Sequence, residues 1–198
     1  MHSGNHSLAH PLGTLLDAAR ALRDDARIRF VFIGGGVGKR EVEAAVRESL
    51  PNVLALPYQP LEKLAETLAA ADVQVVAMGE AMVGCVHPRK VYGALAAARP
   101  VLYLGPADSH VGEIISAGVG GRVAHGDTRG AAVLLRELAV RSPAEMAEIG
   151  SANRRLTEER FEAGRLRAEF CSFIEEMVAR APGDCVESAR GPGGWPAT

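Results

Sequence analysis

Cysteine is scarce in this chain and poorly placed for chemistry: Cys85, Cys171 and Cys185 are odd in number, far apart and without C-x-x-C spacing. That pattern argues against both a disulfide framework and a zinc site and leaves a reducing cytoplasm as the expected compartment. Cys85 is given no role, because an isolated cysteine ordinarily behaves as a small apolar residue. Long apolar runs are also missing. No stretch approaches the roughly 20 residues needed to cross a bilayer, and "MHSGNHSLAHPLG" has neither the basic nor the apolar region of a secretory signal. Nor is there an excess of one charge: 22 Lys and Arg against 24 Asp and Glu give a net charge of −2. No global field therefore draws in nucleic acid or an anionic membrane, and an anionic ligand needs a local device.

What the chain does have is apolar material, 47% of 198 residues, enough for one domain with a continuous core. Short apolar runs alternate with amphipathic stretches. The spacing predicts strands over 29–33, 53–56, 73–77, 101–104 and 121–124, and helices over 8–22, 39–49, 61–70, 88–98, 110–117, 129–140, 143–156 and 161–181. Strands apolar on both faces and separated by helices imply an α/β, Rossmann-like, doubly wound parallel sheet covered on both sides. In the strand order 3-2-1-4-5-6 the first strand is central, yet only "MHSG" is there to feed the first helix. The first central strand is thus expected to be largely missing, as a truncated reading frame or a split gene would produce. The domain is drawn over 1–181; residues 182–198, rich in Gly, Pro and Ser, read as a disordered tail in which Trp195 marks no binding motif.

Ligands of open parallel sheets bind beyond the C-terminal ends of the strands. Three loops fall there. "IGGGVGKRE" carries Gly34, Gly35, Gly36 and Lys39 in a G-x-G-x-x-K pattern that suits either close backbone approach to a phosphate or simply a tight strand-to-helix turn. In "HPRKVYGALAAARPVLYLG", Pro88 suits the first helical position, which would leave the amides of Arg89, Lys90 and Val91 pointing out of the helix end. Arg89 and Lys90 add positive charge there, and solvated cations are the alternative reading. In "GPADSHVGEI", Ser109 is a candidate helix cap and His110 lies near the same edge. Asn5, His6, Ser7 and His10 would be donors close by. His6 and His10 are four residues apart, but Pro11 argues against a helix and no third metal ligand is evident.

Taken in order, "GTLLDAARAL" with "RFVFIGGGVGKREVE", "VLALPYQPLEKLAETLAAADVQVV", "PRKVYGALAAARPVL" and "AGVGGRVAHGD" make residues 4–178 resemble the C-terminal, donor-binding half of glycosyltransferase family 4, which has the GT-B fold. The middle two blocks are similar to the "P-S-K-x-x-x-x-L-A-x-G-R-P-V" variant of capsule and exopolysaccharide transferases. The resemblance implies retaining, metal-independent transfer of a sugar from a nucleotide-diphosphate donor to a saccharide or lipid-linked acceptor, with no resident cofactor. It places the diphosphate at Gly35, Gly36, Lys90 and the helix opening after His87, and the nucleobase against Pro57, Tyr58 and Gln59. The family's E-x7-E pair falls near Cys85 and at Gly93, so neither carboxylate is in register. Glu80, in the same loop, either substitutes or is a solvated side chain. The family's Arg and Lys after the first strand fall at about Asn5 and His10, which puts more weight on Lys90. The acceptor-binding N-terminal Rossmann domain has no counterpart here, so the isolated chain is expected to be an incomplete enzyme, its other half either lost or separately encoded. Any membrane contact would come through an acceptor or that missing half.

Two other classes remain open. A nucleotide-sugar epimerase would need convergent carboxylates, and none is evident; a non-catalytic nucleotide-binding module fits the missing half. A dehydrogenase is disfavoured, because no clean G-x-G-x-x-G is followed by an acidic residue ending the second strand.

Overall fold

A computed structural model describes residues 1–116 and 120–180. They fall into two compact units, Met1–Glu159 and a second that begins at Arg160.

In the first unit six short parallel strands alternate with helices: β1 (His2–Asn5), α1 (Gly13–Ala21), β2 (Phe30–Gly35), α2 (Lys39–Arg47), β3 (Val53–Leu56), α3 (Leu64–Ala69), β4 (Gln74–Ala77), α4 (Lys90–Ala96), β5 (Val101–Leu104), α5 (His110–Ile114), β6 (Gly120–Val123), α6 (Thr128–Ala139) and α7 (Pro143–Arg160). Two three-stranded ladders, β1-β2-β3 and β4-β5-β6, are all parallel. They meet at β1 and β4, where the Val75 amide donates to the Met1 carbonyl at 2.7 Å. The sheet therefore runs 3-2-1-4-5-6, with its order reversing between β1 and β4, the place where such sheets open a ligand crevice.

Alternation along the strands explains the two covered faces. Phe30, Phe32, Val75, Ala77, Leu102 and Leu104 join residues of α1, α2 and α6 in one core cluster. Val76, Val101 and Tyr103, pointing the other way, are equally buried, and α4 packs against β4 and β5.

The first central strand, expected to be largely missing, is present as four residues, the same length as β3, β4, β5 and β6. His, Ser, Gly and Asn carry no apolar signature, so pattern reading passed over it; its pairing with β2 over His2 to Asn5 supplies the backbone hydrogen bonds that the side chains do not announce. The first helix starts at Gly13 rather than at residue 8, because Pro11 has no amide to donate inside a helix. Leu61–Lys63 is a 3-10 turn leading into α3, and α7 extends to Arg160, past the predicted end at 156. Ala117, the predicted end of the fifth helix, and the predicted tail over 182–198 lie outside the described residues.

The second unit contains α8 (Ala163–Arg180), whose first turn is capped by the Glu162 carboxylate accepting the amides of Gly164 at 2.8 Å and Arg165 at 2.6 Å. An i,i+4 pair, Arg165 with Glu169 at 3.4 Å, lies along it.

Candidate functional site

The C-terminal end of β1 is crossed by the side chain of Lys90, the first residue of α4. Gly4 makes room for it: its φ is +113°, and a Cβ there would lie 3.0 Å from Lys90 Cε. The Lys90 ammonium reaches His2 Nε2 at 3.0 Å and the Asn5 carbonyl at 3.1 Å. Burial lowers its pKa from 10.5 to about 8, and no opposite charge among the described residues raises it.

Three histidines surround this cation. His2 is fully buried in β1, its Nδ1 3.2 Å from the Val75 carbonyl oxygen. Burial first, then the Lys90 charge, hold its pKa well below 6.5. His6 and His10 are held low for the same two reasons. His10 Nδ1 meets the Ala77 carbonyl at 2.8 Å. The His6 ring lies 5.2 Å from that of His2, and neither of its nitrogens, both buried, has a hydrogen-bond partner among the described residues. His6, expected as a donor at the open edge, is thus turned inward, 1% exposed. His2 and His6 lie under the site, while Asn5 stays exposed at its edge.

The glycine loop after β2 has a packing reason. A Cβ on Gly34 would lie 2.1 Å from the Gly4 carbonyl oxygen, and one on Gly36 would lie 2.3 Å from Asn5 Oδ1. The His6 amide donates to the Gly35 carbonyl, and the Gly38 amide to the His6 carbonyl, each at 2.7 Å. The loop therefore clasps the end of β1, which places Gly35, Gly36 and the half-buried Lys39 beside Asn5 and His6. Tyr58 lies over the same loop, a Gly35 Cβ falling 3.2 Å from its ring, while its own side chain is 59% exposed. Pro57 and Gln59 flank it on the surface, with Gln59 Nε2 donating to the Pro57 carbonyl at 3.0 Å. One edge thus gathers the predicted phosphate and base residues.

At α4 the details differ from expectation. The helix starts at Lys90, with Arg89 as its N-cap, so Pro88 sits before the cap and not at the first helical position. The Val91 amide donates to the Pro88 carbonyl at 3.2 Å and is not available to a ligand. A short opening turn takes this donor because Arg89 already has helical dihedrals, φ −57° and ψ −13°; with seven residues in the helix, the Lys90 side chain and not the helix end carries the local positive charge. Arg89 is exposed beside it.

Further along the edge, Tyr92 Oη bridges His87 Nε2 at 2.9 Å and His110 Nε2 at 3.2 Å, and the two imidazoles lie 4.9 Å apart. Burial, then His110, lowers the His87 pKa. A cavity of about 350 Å³ opens here, walled by Met78, His87, Pro88, Ser109 and His110 among others. Ser109 is the helix cap expected of it, its Oγ accepting the Gly112 amide at 3.1 Å. Glu80 is exposed in a 3-10 turn after β4. A second cavity, about 620 Å³, is larger but lies at the N-terminal ends of β2, β4 and β5, opposite the crevice edge. Among the described residues no group of three or more His, Cys, Asp and Glu is placed to hold a metal ion.

Sequence reasoning missed His2 and Tyr92. A histidine in an unannounced strand gives no pattern, whereas Tyr92, five residues after His87 at a helix opening, was a readable neighbour.

No protein-family model matches the sequence, and no curated protein sequence matches it. Solved structures do. The chain superposes on 34% of TarM from S. aureus, solved as a point mutant with fondaparinux, alpha-GlcNAc-glycerol and UDP, at 14% identity over 86% of the chain with a TM-score of 0.69. It superposes on 48% of HepE from Anabaena, solved with UDP-glucose, at 15% identity over 88% of the chain with a TM-score of 0.71. The catalytic domain of cholesterol-alpha-glucosyltransferase from Helicobacter pylori is covered to 96%, at 10% identity over 80% of this chain with a TM-score of 0.65. The chain thus spans a third to a half of the length of TarM and HepE. Its architecture is that of half a GT-B glycosyltransferase fold, Rossmann-like and doubly wound.

Proposed function

We propose that this chain is the C-terminal, donor-binding domain of a retaining glycosyltransferase, and that it holds the diphosphate of a nucleotide-diphosphate sugar against Lys90 at the end of β1. One observation carries this reading: Lys90 presents a largely buried ammonium at the sheet's switch point, with no carboxylate beside it among the described residues. A cation removed from water without a counter-ion is costly, and a diphosphate would supply the missing charge. HepE was solved with UDP-glucose and TarM with UDP, which supports a nucleotide-sugar ligand.

In this reading the nucleobase lies on the exposed Tyr58 between Pro57 and Gln59, and Gly35, Gly36 and Asn5 line the path of the diphosphate. Arg89, Lys39 and His87 flank it. The glycosyl group extends toward the cavity beside His87 and His110, and Glu80, exposed in the 3-10 turn after β4, is a candidate contact to the donor. During transfer the bond from the anomeric carbon to the diphosphate oxygen breaks, its electron pair stays on the diphosphate, and the acceptor hydroxyl oxygen bonds to the same carbon as its proton passes to the departing diphosphate. Lys90 stabilises the developing negative charge, which is how such a transfer proceeds without a metal. The acceptor, a saccharide or a lipid-linked acceptor, would be bound by a separate domain, in the cytoplasm.

The test is calorimetric titration of the full chain with UDP, GDP and NAD at pH 7. Binding of the diphosphate nucleotides without preference for the dinucleotide is expected. Lys90→Gln should weaken it about ten- to a hundredfold, the range for hydrogen bonds to a charged group. Unchanged affinity in that variant would sink the assignment.

A further inference from the structure

We propose that His2 is a positioning residue for Lys90: its imidazole accepts a hydrogen bond from the ammonium and so holds the cation at the crevice end of β1, ready for a diphosphate. The inference rests on the donor-binding reading and adds the group that aims its cation.

The geometry settles the proton positions. A carbonyl oxygen only accepts, so the His2 nitrogen facing the Val75 oxygen, Nδ1, carries the hydrogen. In the neutral ring Nε2 then offers a lone pair, and it faces Lys90 Nζ at 3.0 Å. An ammonium has only donors, so the bond runs from lysine to histidine. The Asn5 carbonyl accepts a second N–H at 3.1 Å. Of three donors on the ammonium, two are engaged by β1 and one remains for a ligand oxygen.

Packing alone does not call for a histidine at this place. The neighbouring strand β4 buries Val75, Val76 and Ala77 behind one polar side chain, Gln74, whose amide donates to the Leu68 carbonyl, and β5 buries Val101, Leu102, Tyr103 and Leu104. A fully buried imidazole in β1 is costly unless both nitrogens are satisfied, and here Val75 and Lys90 satisfy them. The titratable groups facing Lys90 are His2 on β1 and His6 and His10 in the segment after it, with Lys39 of α2 acting on His6; each histidine is disfavoured as a cation by Lys90, so the ring beside it stays an acceptor.

Lys39, Lys63 and Lys90 are the three lysines of the sequence, which makes an NMR titration of lysine Cε signals practical. In His2→Phe the Lys90 midpoint should move down, because the buried ammonium loses an acceptor, and UDP affinity at pH 7 should fall about tenfold. His2→Gln, whose amide can donate to Val75 and whose carbonyl can accept from Lys90, should restore part of both. A Lys90 midpoint that stays put or rises in His2→Phe overturns the proposal. If Lys90→Gln still binds UDP as the parent chain does, the donor-site reading itself fails, a result distinct from an unmoved titration in a chain that needs Lys90. The parent chain supplies a check free of folding defects: imidazole 15N shifts must report the Nδ1–H tautomer of His2, and the Nε2–H tautomer overturns the assignment.

Discussion

β1 and β5 are both four-residue interior strands of the same parallel sheet, yet they are built from opposite materials. In β5, Val101, Leu102, Tyr103 and Leu104 are all 0% exposed and only Tyr103 carries a polar atom, its hydroxyl meeting Ser109 Oγ at 2.9 Å. β1 is His-Ser-Gly-Asn; it buries an imidazole, bends at Gly4 and ends against a lysine from another element. β5 holds the sheet together by filling both faces, while β1 holds a cation in place and leaves much of the packing to its neighbours. A sheet of this order can tolerate one such strand because β2 and β4 on either side are themselves well buried.

Cutting Leu102 to Ala is the largest blow to stability that this contrast predicts, about 2–5 kcal/mol in denaturant unfolding, with little change in UDP affinity per folded molecule. A matching loss of affinity would mean that β5 shapes the site as β1 does. Gly34→Ala should cost about 1–3 kcal/mol through its φ of +128° and its contact with the Gly4 carbonyl oxygen, and it should also weaken UDP binding, because the displaced strand is the one beneath Lys90. Destabilisation with intact affinity would separate β1 from the site.

Smallest of the three, and most diagnostic, is the response to pH. His2, His6 and His10 have folded pKa values below 6.5, so the unfolded chain takes up protons that the folded chain refuses; stability present above pH 6.5 is lost as acid is added. Thermal midpoints should fall from pH 7 to 5, and less steeply in His2→Phe, where two of the three remain. Lys90 produces the opposite pairing on the alkaline side. Between pH 8 and 10.5 the unfolded chain holds the proton, so stability rises while UDP affinity falls as the ammonium is lost. A stability curve flat across both windows would show that the polar cluster is solvated, and the contrast with β5 would disappear.

Much of this was legible in the residues. β3 and β5 were read at their observed bounds; in β5 the run "VLYL" is apolar on both faces, as a doubly covered strand allows, whereas β3 lies at the sheet's edge with Leu54 exposed and was marked by its short apolar run between turn residues. The capping role of Ser109 followed from its place before a helix. Lys90 and the glycine loop were singled out by residue type, by their places after strands and by the family resemblance, and both lie at one edge. What could not be read was β1, whose polar residues form a strand only because β2 and β4 accept its backbone, and the inward turn of His6, which depends on the glycine loop clasping the segment after β1.

The linear order of apolar and amphipathic segments was enough to decide the parallel, doubly wound architecture, since burial of apolar area is additive along the chain and leaves its periodicity in the residues. The tertiary structure alone decided that His2 meets Lys90, 88 positions away, and that the pair sits where the strand order reverses. Hydrogen bonds depend on distance and direction in space, and neither is encoded by spacing along the backbone.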